Sequence, residues 1–181
     1  MYQMTDDLQE TLLTEAEIAE KVAEIGTRLS HDYAHTRPLL VCVLKGSVVF
    51  YADLIRAMSI PVDLDFIAVS SYGRGTTSGE VRMIKDLDVS IEGRDVLIVE
   101  DILDTGLTLK YLTEMLRARG PASLKLCTLL DKPERRKAPV EAEYSGFSIP
   151  NEFVVGYGLD YAERYRNLPF IGILKPEVYA K

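Results

Sequence analysis

The sequence is poor in the residues that mark several classes of protein. Its 181 residues include no tryptophan, two cysteines and two histidines. Cys42 and Cys127 each lie inside an apolar run, so we expect buried free thiols in a cytoplasmic protein rather than the disulfide framework of a small secreted one. His31 and His35 are four residues apart on a predicted helix. Because no third ligand is nearby, we interpret them as a surface pair rather than a metal site.

Long apolar runs and an excess of positive charge are also lacking. No run approaches the roughly 20 residues of a membrane span, and the N-terminus lacks the basic and apolar segments of a secretory signal. Lysine and arginine total 21 against 28 aspartates and glutamates, a net charge of −7. We therefore expect no membrane or nucleic-acid partner, since both favour a basic face. An anionic metabolite remains possible, because backbone N–H groups, individual lysines and a divalent cation can hold it.

The remaining composition is that of an ordinary globular domain, with 47% apolar and 27% charged residues. We predict one domain over residues 1–181. Apolar strand-like runs alternate with helical patterns, which predicts an α/β fold with a mainly parallel central sheet flanked by helices. The predicted strands cover residues 39–44, 62–70, 81–85, 94–99, 124–130, 152–157 and 169–174, and the predicted helices cover 14–35, 48–58 and 107–119.

Polar clusters follow several of these strands, and such ends are where parallel sheets bind ligands. The most informative segment, residues 96–108, reads Val-Leu-Ile-Val-Glu-Asp-Ile-Leu-Asp-Thr-Gly-Leu-Thr. We predict a buried strand ending at Glu100 and Asp101, then a polar loop that opens a helix. The loop suits a phosphate, because free N–H groups and the helix dipole both favour an anion. The two carboxylates would repel a phosphate, so we assign them ribose hydroxyls or a divalent cation.

This segment resembles the signature of the type I phosphoribosyltransferases, in the form typical of the branch that acts on 6-oxopurines. The resemblance covers residues 35–175 and implies the family fold, with a small hood and a flexible active-site loop at residues 71–80. It implies a purine-salvage transferase that moves the phosphoribosyl group of phosphoribosyl pyrophosphate to N9 of hypoxanthine, and of guanine. The products would be IMP or GMP and pyrophosphate. Mg²⁺ would be the cofactor, and the assembly a homodimer or homotetramer.

The signature itself would then bind the ribose and its 5′-phosphate, through Glu100, Asp101, Asp104, Thr105, Gly106, Leu107 and Thr108. Asp104 would be the catalytic general base for the purine N7 proton, and Glu100 and Asp101 would hold the metal. Leu107 departs from relatives that have lysine or arginine at this position. Its backbone N–H can still serve, but the side-chain contact is lost.

The resemblance implies two further groups of residues. Pyrophosphate would bind Lys45, Gly46, Ser71, Tyr72 and Arg166, with a cis peptide bond before the lysine and the Ser-Tyr pair at the base of the closing loop. The purine would bind Lys132, Phe153, Val154 and Asp160. The lysine would donate to O6 and repel the amino group of adenine, the phenylalanine would stack on the ring, and the backbone of the valine would contact the base edge. Asp160 would also hold a second Mg²⁺.

Two alternatives remain open. Some relatives bind RNA or DNA and regulate nucleotide genes, but the net charge of −7 and the lack of a helix-turn-helix extension disfavour that function. An enzyme for another base, such as xanthine or uracil, is nearer. Lys132 and residues 153–160 favour a 6-oxopurine without distinguishing hypoxanthine, guanine and xanthine.

Overall fold

The computed structural model describes residues 3–72 and 80–180. Residues 73–79 of the predicted flexible loop lie outside these ranges, as do the side chains of Ser71, Tyr72 and Glu80. The expected closing loop and the roles of Ser71 and Tyr72 therefore stay predictions. No helix in the described ranges is both long and apolar enough to cross a membrane.

Nine strands and four helices make up the described chain. In order they are β1 (Leu8–Leu13), α1 (Glu15–Asp32), β2 (Leu39–Leu44), α2 (Val48–Ala57), β3 (Asp63–Tyr72), β4 (Glu80–Lys85), β5 (Asp95–Leu103), α3 (Leu107–Arg117), β6 (Ser123–Asp131), β7 (Tyr144–Ser148), β8 (Val154–Val155), β9 (Ile171–Leu174) and α4 (Pro176–Tyr179). Two 3₁₀ turns, Met4–Asp7 and Pro133–Arg135, complete it.

The central sheet has six strands in the order β4-β3-β2-β5-β6-β7. All neighbours run parallel except β4, which returns antiparallel along β3. Neighbouring strands in the sheet are therefore not always consecutive in the chain. Parallel neighbours must be joined by crossover connections, and α2 and α3 each lie in one of them. The predicted α/β fold with a mainly parallel sheet is confirmed.

Helices cover both faces of the sheet, and alternate strand residues serve the two faces. Leu40, Cys42, Leu97 and Val99 pack under α1 and α2. Their neighbours Leu39, Val41, Val96 and Ile98 pack with Leu109, Leu112 and Leu116 of α3 on the other face. This is why β2 and residues 96–99 of β5 are apolar at every position rather than at every second one.

A second, three-stranded antiparallel sheet in the order β1-β9-β8 forms the hood. Its strands come from both ends of the chain, and Lys175 N donates to Asp7 O at 3.0 Å where the two ends meet. The hood places β8, which precedes the segment 156–166, beside the carboxyl ends of β5 and β6. The small hood implied by the resemblance is therefore present.

Several elements differ from the sequence-based predictions. β5 continues to Leu103, so Glu100 and Asp101 lie within the strand, and Glu100 pairs with Thr128 of β6. β1, β7 and α4 were not predicted, and the predicted strand 152–157 is reduced to β8 at Val154–Val155. β7 is an edge strand that runs parallel to β6, so close to it that a Cβ at Gly146 would overlap Leu129 O. In the sequence, a glycine at that position suggests a turn. In the structure, its lack of a side chain permits the close strand pairing.

The contact between α1 and α2 gives the first test. Gly26 faces the end of α2, where a Cβ would lie 2.7 Å from Ala57 Cβ. We expect Gly26→Val to lower the free energy of unfolding by about 2 kcal/mol, because the two helices would have to separate. Urea unfolding measures the change. Ala23→Val, at an exposed position of the same helix, is the matched control. Equal losses in both variants would contradict the packing argument.

Candidate active site

The carboxyl ends of β2, β5 and β6 meet at one edge of the central sheet, beside the hood. Lys45 and Gly46 follow β2, Asp104 follows β5, and Lys132 follows β6. Phe153 lies immediately before β8 of the hood. The sheet and the hood thus place the predicted site residues on neighbouring segments.

The loop after β5 is shaped for an anion. Gly106 has φ +78° and forms the N-cap of α3, whose first turn begins without a side-chain cap. Thr105 O accepts hydrogen bonds from Lys137 N at 2.9 Å and Ala138 N at 3.1 Å, which fixes the loop from outside. A cavity of about 200 Å³ opens here, lined by Glu100, Asp101, Ile102, Asp104, Thr105, Gly106, Thr108 and Leu109. The first-turn N–H groups of a helix lack intrahelical partners and favour a bound anion.

The acid pair stands at the wall of this cavity. Asp101 is buried and Glu100 partly so. Burial raises the pKa of Glu100 well above its ordinary value, and the adjacent Asp101 charge raises it further. Burial also raises the pKa of Asp101. In the described ranges, no three His, Cys, Asp or Glu side chains form a ready metal-binding group. The pair nevertheless suits Mg²⁺, which commonly takes one or two carboxylates together with substrate phosphates.

The loop after β2 is pressed against Asp101. A Cβ at Gly46 would overlap Asp101 Oδ2, and a Cβ at Gly158 would overlap Gly46 O. Gly158 also has φ +99°, a conformation that L side chains rarely adopt. The Leu44–Lys45 peptide bond is cis, as the resemblance implies. Both glycines are therefore required for the loop to pass between β5 and the hood.

Beyond Gly158, charged side chains form one network. Arg166 contacts Asp160 Oδ1 at 2.8 Å and Glu163 Oε1 at 3.3 Å, and it donates to Gly158 O at 2.8 Å. Glu163 also reaches Lys45 Nζ at 3.2 Å. The hydrogen bond from Lys45 lowers the pKa of Glu163 most, followed by the one from Arg166. Within the described residues the buried Nε of Arg166 has no hydrogen-bond partner.

A larger cavity of about 410 Å³ lies under the hood. Its lining is Ile102, Asp104, Lys132, Arg135, Asn151, Glu152, Phe153, Val154, Leu159, Asp160 and Tyr179. Lys132 is buried, its Nζ donates to Glu152 O at 2.6 Å, and burial lowers its pKa. The four residues predicted to bind a purine, Lys132, Phe153, Val154 and Asp160, all line this cavity.

Asp104 lines both cavities, and so connects the candidate phosphate site with the candidate base site. Its Oδ1 accepts a hydrogen bond from Arg135 Nε at 2.6 Å. Arg136 holds the backbone at the same point by donating to Asp104 O at 2.6 Å. The carboxylate is therefore fixed at the boundary where a base and a phosphorylated sugar would meet.

A family model described as the phosphoribosyl transferase domain matches residues 8–162. The chain belongs to the phosphoribosyltransferase family. The crystal structure of a hypoxanthine phosphoribosyltransferase from Staphylococcus aureus is similar, with a TM-score of 0.95 and 56% identity, covering 98% of this chain and 97% of that one.

Curated relatives agree with this assignment. The hypoxanthine-guanine phosphoribosyltransferase of Bacillus subtilis is 56% identical over 177 residues, which are 97% of this chain and 98% of that protein. The bifunctional protein TilS/HprT of Listeria innocua is 56% identical over 179 residues, or 98% of this chain. The chain spans only 28% of the length of that relative.

Three residues of this phosphoribosyltransferase site were missed by sequence reasoning. Arg135 contacts Asp104, Glu163 links Lys45 to Arg166, and Tyr179 lines the base cavity. Arg135 lies in a polar stretch with no strand pattern, and Glu163 sits at φ +62°, which no local pattern predicts. The closeness of Arg135 to Lys132 in sequence was the only available signal.

The buried acid pair predicts a pH effect on stability without metal. Because the folded state raises the pKa of Glu100 above its unfolded value of about 4.5, the folded protein binds that proton more tightly. Stability from this group is complete below the unfolded pKa and is lost as pH rises through the folded pKa. We expect Glu100→Gln, which cannot titrate, to lose less stability between pH 5 and 8.

Urea unfolding in the presence of a chelator, at several pH values, measures this difference in the free energy of unfolding. Glu92→Gln, at an exposed position, is the control and should follow the unmodified chain. Parallel pH profiles for Glu100→Gln and the unmodified chain would contradict the electrostatic account of the pair.

Proposed function

We propose that this phosphoribosyltransferase transfers the phosphoribosyl group of phosphoribosyl pyrophosphate to N9 of hypoxanthine, and of guanine. The products are IMP or GMP and pyrophosphate, so the reaction serves purine salvage. The observation that carries the proposal is that Asp104 lines both the phosphate cavity and the base cavity. The relatives from Staphylococcus aureus and Bacillus subtilis, a hypoxanthine and a hypoxanthine-guanine phosphoribosyltransferase, support the same base class.

The 5′-phosphate would occupy the cavity at the start of α3, where Thr105, Gly106, Leu107 and Thr108 offer backbone and hydroxyl donors. Glu100 and Asp101 would accept hydrogen bonds from the ribose hydroxyls. Hydroxyl donors of the ribose would offset the burial and the Asp101 charge that raise the pKa of Glu100.

Glu100 and Asp101 would also hold Mg²⁺, which when bound neutralises charge on the pyrophosphate leaving group. A cation would offset the burial and the Asp101 charge that raise the pKa of Glu100. We assign Asp160 to a second Mg²⁺, where it would have to share or leave its ion pair with Arg166.

Pyrophosphate would be held by Lys45, the backbone of Gly46, and Arg166. The contacts of Glu163 with both Lys45 and Arg166 support this placement, because an anion could take the place of that carboxylate between the two cations. Ser71 and Tyr72 keep the role implied by the family resemblance.

The purine would lie in the cavity under the hood. Lys132 has three ammonium hydrogens, of which one is donated to Glu152 O. A second can be donated to O6 of a 6-oxopurine, whereas the 6-amino group of adenine would present hydrogens instead. Phe153 would stack on the ring, and the backbone of Val154 would contact the base edge.

In the reaction, the N9 lone pair forms a bond to C1 of the ribose as the bond from C1 to pyrophosphate breaks. The N7 proton passes to Asp104, which acts as general base. Carboxylates near the sugar stabilise the positive charge that develops on it, and Lys45 stabilises the departing pyrophosphate. For this step Asp104 must exchange its contact with Arg135 for one with N7.

A homodimer or homotetramer in the cytoplasm completes the proposal. The two unpaired, buried cysteines suit a reducing compartment.

A pyrophosphate-release assay tests the function. With phosphoribosyl pyrophosphate and Mg²⁺, we expect turnover with hypoxanthine and guanine and none with adenine or uracil, while xanthine ranks the tolerance at the purine 2-position. Binding of phosphoribosyl pyrophosphate without turnover of any base would instead favour a regulatory protein and direct attention to nucleic-acid partners.

The role of Asp104 as general base gives a second test. We expect Asp104→Asn to lower kcat by about 10² to 10⁴ with little change in KM, because the amide keeps the shape but cannot take the N7 proton. Asp88→Asn, at an exposed carboxylate that lines neither cavity, should leave kcat unchanged. Steady-state kinetics measures both, and near-normal turnover of the Asp104 variant would refute the general-base role.

A further inference from the structure

The C-terminal turn places an aromatic ring in the base cavity. Tyr179 is the last residue of α4 and lies beyond the segment that matches the family model, which ends at residue 162. Its ring stacks on Phe153 with 4.7 Å between centroids and 22° between planes. Tyr179 also lines the cavity assigned to the purine. The ring proposed to stack on the base therefore already carries a stacked partner.

A second aromatic contact fixes the same ring from another direction. Tyr161 meets Phe153 with 5.6 Å between centroids and planes at 89°. Stacked and perpendicular pairs are the two geometries that aromatic rings prefer. One neighbour parallel to Phe153 and one perpendicular to it define the plane of its ring.

The backbone connects the C-terminal turn to the strand that carries the base site. Leu174 N donates to Phe153 O at 2.8 Å, immediately before α4. Lys175 N donates to Asp7 O at 3.0 Å, and Lys175 Nζ donates to Asp6 O at 2.7 Å. The turn is thus anchored both to Phe153 and to the N-terminal segment, which sets the position of Tyr179 relative to the cavity.

We propose that Tyr179 is a positioning residue for the purine, which holds the Phe153 ring in the plane on which the base stacks. This inference rests on the proposed function. If the Phe153 ring is already held in place, purine binding costs less side-chain entropy than it would if binding also had to order that ring. The contribution therefore belongs to base binding, whereas phosphoribosyl pyrophosphate binds at the other cavity.

Kinetics of three variants tests the proposal. We expect Tyr179→Ala to raise KM for hypoxanthine by about threefold to tenfold, with kcat and KM for phosphoribosyl pyrophosphate changed less than twofold. Tyr179→Phe should restore KM, because the stacked ring remains. Tyr111→Ala, at an exposed tyrosine of α3, is the matched control and should behave as the unmodified enzyme.

Other outcomes would overturn the inference. An unchanged KM for hypoxanthine in Tyr179→Ala would show that the ring is not needed, and a lowered KM would show that it occupies the place of the purine. Equal defects in Tyr179→Phe and Tyr179→Ala would attribute the effect to the hydroxyl. If the unmodified enzyme turns over no 6-oxopurine, the proposed function itself fails. Normal turnover with an unaffected Tyr179→Ala variant defeats this inference alone.

The lack of tryptophan allows a direct optical test. Tyr179→Trp would place the chain's sole indole beside Phe153. We expect its fluorescence to change saturably with IMP and to stay constant with ribose 5-phosphate, which fills the phosphate cavity without a base. A signal that does not respond to IMP, in a variant that still forms IMP, would contradict the placement of this side chain at the base.

Discussion

The backbone of Gly46 passes between a buried carboxylate and a second glycine, and the site depends on that close approach. Asp101 stands on one side and Gly158 on the other, with no space for a Cβ at either glycine. Three segments distant in sequence meet at this point: the loop after β2, the part of β5 that contains Asp101, and the segment 156–166 that follows β8. Because the Gly46 backbone lies directly against both the Asp101 carboxylate and the Gly158 backbone, the three segments are held at short range.

The charges of the site are arranged around this contact. On the β5 side, burial raises the pKa of Glu100 and Asp101, a cost of burying charge that a cation or hydroxyl donors would offset. On the hood side, Glu163 joins Lys45 to Arg166, so the cations assigned to pyrophosphate are held until an anion replaces the carboxylate. Asp104 and Arg135 form a comparable pair at the base cavity. Ligand binding at this site is therefore an exchange of partners rather than the filling of unpaired groups.

Local patterns in the sequence were sufficient for much of this arrangement. The apolar run of β2, the Lys-Gly that follows it and the signature of β5 each lie within a few residues, so periodicity and motif predict them. What could not be predicted depends on contacts between distant segments. β7 is stabilised by pairing with β6 around Gly146, Glu163 takes a left-handed conformation, and Tyr179 reaches Phe153 only because β9 lies beside β8. The acid pair lies within β5 rather than after it, since pairing with β6 extends the strand.

The close approach at Gly46 is tested most directly by the affinity for phosphoribosyl pyrophosphate with Mg²⁺, measured by calorimetry on two alanine variants. Gly158 and Gly93 both have positive φ, +99° and +69°, but a Cβ meets Gly46 O at the first and open space at the second. Both substitutions thus strain the backbone, and only Gly158→Ala displaces the loop. The account predicts binding weakened at least about tenfold in Gly158→Ala and nearly unchanged in Gly93→Ala. Equal affinities in the two variants would contradict it.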